Sequence, residues 1–124
     1  MIKDGRFHAA VAISDPAAAR KWYEDKLGLS VKQEDPGGVW YQFGESWLYV
    51  YPSGSAGTAR NTVAGWAVDD LAAEMKWLRG RGVVFEEYDM PGLKTIDGVV
   101  DFGPAKVAWF KDPDGNTFEL SQVA

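Results

Sequence analysis

The chain has one histidine and no cysteine. Without thiols there is no disulfide, no cysteine nucleophile and no thiolate metal site. Acid–base chemistry near neutral pH therefore falls to His8, whose side-chain type titrates in that range. A carboxylate facing it would complete a histidine–carboxylate couple, and Glu119 is the candidate. The second chemical resource is flat surface: six Trp, five Tyr and six Phe make up 14% of the chain. Trp40, Trp47, Tyr49 and Tyr51 would form a wall on which a planar ligand stacks, each good pair adding about 1 kcal/mol beyond burial. A cationic ligand would gain cation–π attraction from the same wall.

Each feature also has a plainer reading. His8 would sit wet or hydrogen-bonded in a pocket wall, and Glu119 would be solvated. The aromatic residues would form a cross-strand ladder in a core or dimer interface. Trp22, Trp66 and Trp77 read as core between helix and sheet. Trp109 or Phe110, whichever faces inward, would join the wall. Asp97 and Asp101 would meet a basic ligand or stay solvated.

The elements that must position these residues occur twice. Phe7–Ile13 is a short apolar strand, followed by Ser14-Asp15-Pro16. Asp15 suits a helix N-cap and Pro16 the first helical position. Ala18, Ala19, Trp22, Tyr23 and Leu27 recur at helical spacing, Gly28 stops the helix, and a strand runs over Leu29–Gln33. In the second half, Thr62–Val68 is a strand and Asp69-Asp70 caps a helix striped by Leu71, Met75 and Leu78. Gly82 ends that helix, and Val83–Phe85 is a strand. Two further strands close each half: Val39–Phe43 with Trp47–Tyr51, and Lys106–Phe110 with Thr117–Gln122. The second pair is joined by Asp112-Pro113-Asp114-Gly115-Asn116, strong turn chemistry. Each half reads βαβββ. The predicted fold class is α+β, a single domain over 1–124 with module one at about 1–52, a linker at about 53–60 and module two at about 61–124. The 89–103 stretch reads as a long loop or lid.

A βαβββ unit covers one face of its sheet with its helix, and two units would close their bare faces into a shared trough. Side chains alternate along a strand. Val11 and Ile13 should therefore face the first helix, and His8, Ala10 and Ala12 the trough. In the second half Trp66, Val68, Phe118 and Leu120 fit the helix side. Val63, Gly65, Ala67, Thr117, Glu119 and Ser121 fit the trough. With Leu48 and Val50 in the core, Trp47, Tyr49 and Tyr51 face the trough.

Composition excludes several classes. The 124 residues are 46% hydrophobic and 25% charged, an ordinary globular mixture. Thirteen basic against eighteen acidic residues leave a net charge of −5, which repels phosphate backbones and anionic membranes. The expected partner is thus a small molecule, with no nucleic acid and no membrane. Lys3, Asp4, Arg6 and Asp15 leave no apolar stretch long enough for a signal peptide, so a cytoplasmic location is expected.

The order strand–Asp–helix–Gly–strand, given twice, closes here with DPDGNTFEL. The segments FHAAVAISDPAAARKWYEDKLGL and WFKDPDGNTFELSQ carry the likeness most specifically. On these motifs the chain resembles the vicinal oxygen chelate superfamily, the group of glyoxalase I, extradiol dioxygenases, fosfomycin-resistance transferases and bleomycin-resistance proteins. The resemblance covers essentially the whole chain. It implies paired βαβββ modules and a homodimer.

The resemblance also implies a metal site with one ligand on the first strand and one on the last strand of each module. By position these are His8, Tyr49, Val63 and Glu119. Only His8 and Glu119 are ordinary ligands for a divalent metal. Val63 cannot coordinate, and Tyr49 is normally protonated at neutral pH. Two ligands are too few for tight binding unless substrate or a partner chain adds more. No cofactor is therefore expected, and no catalytic residue is assigned. The expected function is metal-independent binding of the bleomycin-resistance type, sequestering a planar or cationic antibiotic-like ligand with Trp40, Trp47, Tyr49, Tyr51, His8 and Glu119. The alternative is a metal-dependent glyoxalase/lyase or dioxygenase-like enzyme in which His8 and Glu119 hold the ion. A third possibility is a trough that has lost any ligand.

Overall fold

Two aspartates start the two helices. The Asp15 carboxylate accepts hydrogen bonds from the Ala17 and Ala18 amides and opens α1 (Pro16–Asp25), with proline at its first turn. Asp70 accepts from the Ala73 amide and opens α2 (Leu71–Gly80). Both use a short acceptor to satisfy amides that have no partner in the first helical turn. Gly28 and Gly82 follow the helices at φ +68° and +91°, a backbone region that costs glycine nothing. These features come from a computed structural model that describes residues 1–123.

The chain forms two compact units, Met1–Gly57 and Thr58–Ala124. The first begins with a single 3-10 turn at Ile2–Asp4 and continues with β1 (Ala9–Ile13), α1, β2 (Ser30–Asp35), β3 (Gly38–Phe43) and β4 (Ser46–Pro52). Its sheet has the order β1-β4-β3-β2. β1 runs parallel to β4, and the other neighbours are antiparallel. Val11, Ile13, Tyr41, Leu48 and Val50 are buried, as are Ala19 and Tyr23 on α1. The Tyr23 and Tyr41 rings stack at 6.1 Å, and the Tyr41 hydroxyl donates to Glu24 on α1. Burial and that hydrogen bond push the Tyr41 phenol well above its ordinary pKa. Arg20 pairs with both Glu24 and Glu34, tying α1 to β2.

The second unit contains β5 (Thr62–Ala67), α2, β6 (Asp89–Met90), β7 (Leu93–Lys94), β8 (Val99–Asp101), β9 (Ala105–Lys111) and β10 (Thr117–Val123). Its main sheet has the order β5-β10-β9-β8, again with a parallel pair between the first and last strands. Leu71, Met75, Leu78, Val100, Phe110, Phe118 and Leu120 fill the core. Full burial of one such side chain contributes about 1.5–3 kcal/mol. The β9–β10 turn closes on Asp112, which accepts from the Asp114 and Asn116 amides and from the Asn116 side chain. No helix among the described residues is long and apolar enough to cross a membrane.

Four expectations are corrected. Val83–Phe85 is not a strand: only Phe85 makes an isolated bridge, to Phe110. The 89–103 stretch is not a plain loop, because it holds the β6–β7 hairpin and then β8, which supplies the outer strand of the sheet. Trp77 is 46% exposed rather than core, with the Arg81 guanidinium 4.6 Å above its ring. Val63 has no partner of its own on β10, because Thr62 lies opposite Thr117 and Ala64 opposite Phe118, so the expected alternation of Val63, Gly65 and Ala67 is interrupted. Such a bulge is where strict alternation fails.

Candidate ligand site

The face of the first sheet turned away from α1 carries the aromatic residues. Cross-strand register places Ala10 opposite Tyr49 and Tyr49 opposite Trp40. Gln33 on β2 lies opposite Trp40 on its other side. Trp47 and Tyr51 flank Tyr49 at two-residue spacing on β4, so their side chains share its face. The rings touch in sequence. Tyr51 stacks on Tyr49 at 5.8 Å and 13°, Tyr49 meets Trp40 at 4.5 Å, and Trp40 meets Trp47 edge-on at 5.9 Å. His8 adds a fifth ring, 4.7 Å from Trp40 and edge-on. It lies just before β1 and is exposed, not within a strand from Phe7 to Ile13 as the sequence suggests.

One carboxylate organises the row. Asp35 sits at the end of β2, where the chain turns into β3. Its Oδ1 accepts from the Tyr49 hydroxyl at 2.9 Å and from the Gly37 and Gly38 amides at 2.8 and 3.0 Å. Its Oδ2 accepts from the Trp40 indole at 3.3 Å. The Tyr49 hydrogen bond, then the Gly37 amide, hold the Asp35 carboxyl below its ordinary pKa. The Tyr49 phenol is raised by burial and by this same bond. Sequence reasoning missed Asp35. The available signal was Asp-Pro-Gly-Gly, an aspartate whose side chain caps its own turn.

Beside the row lies a cavity of about 350 Å³ lined by Arg6, Phe7, His8, Gln33, Trp40 and Trp47. That is near the lower end of small-molecule pockets, roughly 300–1,000 Å³. Arg6, Phe7 and Gln33 were not singled out from the sequence. Arg6 and Phe7 belong to the segment before β1, whose reach follows from the fold rather than from any motif.

Glu119 belongs to the second unit. It lies opposite Trp109 and beside Gly65. A Cβ on Gly65 would approach the Glu119 Cγ to 2.4 Å, so the glycine leaves room for that side chain. Trp109 shares the face of Glu119 and meets Tyr88 at 5.5 Å, whereas Phe110 is in the core. By register, the Gly65–Glu119–Trp109 row corresponds to Ala10–Tyr49–Trp40 in the first unit. The four positions tied to a metal by resemblance thus carry an imidazole, a phenol that donates to Asp35, an isopropyl group and a carboxylate. A phenol held protonated in a hydrogen bond is a poor ligand, and an isopropyl group is none, so this donor set does not fit a resident divalent ion. Among the described residues, no group of three or more His, Asp or Glu comes together in a geometry that could hold one.

The sequence profile described as the Glyoxalase/Bleomycin resistance protein/Dioxygenase superfamily matches residues 5–120. Among solved structures, the chain is similar to TnmS3, an antibiotic binding protein from a Streptomyces species. The two are 24% identical with a TM-score of 0.71, covering 100% of this chain and 99% of that one. A glyoxalase/bleomycin resistance protein from Catenulispora acidiphila is also 24% identical, with a TM-score of 0.70 over 96% and 98% of the two chains. A lactoylglutathione lyase from Agrobacterium tumefaciens is 16% identical, with a TM-score of 0.70 over 96% and 93%. These likenesses show the fold. No curated protein matches. The chain belongs to the glyoxalase/bleomycin resistance protein/dioxygenase superfamily.

Proposed function

We propose that this superfamily member binds a planar small molecule by stacking it on the aromatic row of the first unit, without a metal ion, and works by sequestration of an antibiotic-like ligand. The observation that carries the reading is the unbroken contact from Tyr51 through Tyr49 and Trp40 to Trp47, beside a cavity. A row whose rings are already oriented by one another and by Asp35 loses little freedom when a flat ligand arrives. The antibiotic-binding relative supports the same reading. The proposal includes a cytoplasmic homodimer, and light scattering on the purified protein reads the assembly.

The test is tryptophan fluorescence titration with bleomycin and with the uncharged planar probe 2-(hydroxymethyl)anthracene, in EDTA. Saturable quenching is expected for at least one probe. Trp47→Ala should weaken it about tenfold or more, as loss of a stacking platform worth 1–3 kcal/mol does. Melting curves with zinc, nickel and ferrous iron should match those in EDTA. A stoichiometric metal whose stabilising effect His8→Ala abolishes would instead support the enzymatic reading.

A further inference from the structure

Two charged groups border the aromatic row, and they are not equally available. Asp35 has four hydrogen-bond donors on its carboxylate, all from its own unit. Its charge is dispersed over those donors and its oxygens are engaged. Arg6 is the opposite case. It lines the cavity and makes no ion pair or side-chain hydrogen bond among the described residues. Its guanidinium offers five N–H donors in a fork suited to a carboxylate or other planar oxyanion. The Gln33 amide and the His8 imidazole add N–H donors to the same lining. The polar lining of this cavity is therefore rich in donors, and its only permanent charge is positive. Its walls are Trp40, Trp47 and the exposed Phe7.

We infer that this cavity selects planar aromatic ligands bearing an acidic oxygen group, a carboxylate or phenolate, which pairs with Arg6 while the rings lie against Trp40 and Trp47. The inference rests on the stacking reading and adds the sign of the charge. It runs against the charge of the whole chain, −5, which favours cations at long range. At contact distance a single unpaired guanidinium outweighs charges dispersed over the surface, because salt screens those beyond about 8–10 Å.

Three probes of one shape separate the possibilities: anthracene-2-carboxylate, 2-(hydroxymethyl)anthracene and 2-(aminomethyl)anthracene. Each is titrated against tryptophan emission at low and moderate salt. The carboxylate should bind about fivefold tighter than the alcohol, the gain of one exposed charge pair, and the amine weakest. Arg6→Ala should collapse the carboxylate-to-alcohol ratio towards one, Arg6→Lys should keep most of it, and Arg6→Glu should reverse the order. Circular dichroism checks that each variant is folded. Equal binding of all three probes, tighter binding of the amine, or a preference that survives Arg6→Ala overturns the charge assignment and leaves stacking standing. Binding of none of the three removes stacking and the charge assignment together.

Discussion

Asp35 shows how one side chain sets the state of several others. Its lowered pKa has a definite consequence for pH. A carboxyl whose folded pKa lies below its unfolded value stabilises the folded form above the unfolded value, about 3.9. That contribution is lost as pH falls through the lower, folded value. Tryptophan emission should therefore shift as pH falls below about 4, where protonation weakens the Asp35 acceptor of the Trp40 indole. Asp35→Asn should remove that step and loosen the Tyr49 ring, which intrinsic fluorescence and tyrosine resonances would report. An unchanged acid transition in Asp35→Asn would separate Asp35 from the ordering of the row. The raised Tyr49 phenol behaves in the reverse sense: its contribution is present below about pH 10 and declines as pH rises through the higher folded value. The turn at Asp35 was legible in Asp-Pro-Gly-Gly, but its hold on Tyr49 and Trp40 was not, because that depends on which rings the register delivers above it.

The elements were legible where one residue type has one local use. Asp15 and Asp70 cap helices, Gly28 and Gly82 end them, and the Asp112–Asn116 turn joins β9 to β10. The second half misled where composition and pairing diverge. Val83–Phe85 has strand-forming residues but lacks a continuous partner. Val99–Asp101, inside a glycine-rich stretch, pairs with β9 instead. Strand identity is set by what lies alongside as much as by propensity. Trp77 fails as core because α2 already buries Leu71, Met75 and Leu78 on one stripe, and its position falls off that stripe. At this scale Gly38 is the testable element terminus. A Cβ there would lie 2.5 Å from the Val50 carbonyl oxygen and 2.9 Å from the Tyr49 Cζ. Gly38→Ala should destabilise the protein by about 1–3 kcal/mol and weaken probe quenching by tilting Tyr49. Gly54→Ala, with open space around it, should stay within about 0.5 kcal/mol. Urea denaturation of both variants checks the contrast.

For the molecule as a whole, charge decides which partners can approach. A net charge of −5 predicts no retention on heparin at about 0.15 M salt, where Debye screening already limits attraction to about 8 Å. Retention would show a basic surface that the sequence does not reveal. Each sheet has two outer strands, β1 and β2 in the first and β5 and β8 in the second, and β2 and β8 differ in how they end. β2 bears Lys32, Glu34 and Asp35 on exposed positions and is braced by Arg20, while β8 is only three residues long and finishes at Asp101. A margin crowded with charge and one too brief to template a neighbour both discourage strand-to-strand recruitment between molecules. At those two margins, concentrated stocks of the protein should resist fibre growth, and engineering that neutralises β2 or lengthens β8 would forfeit that protection.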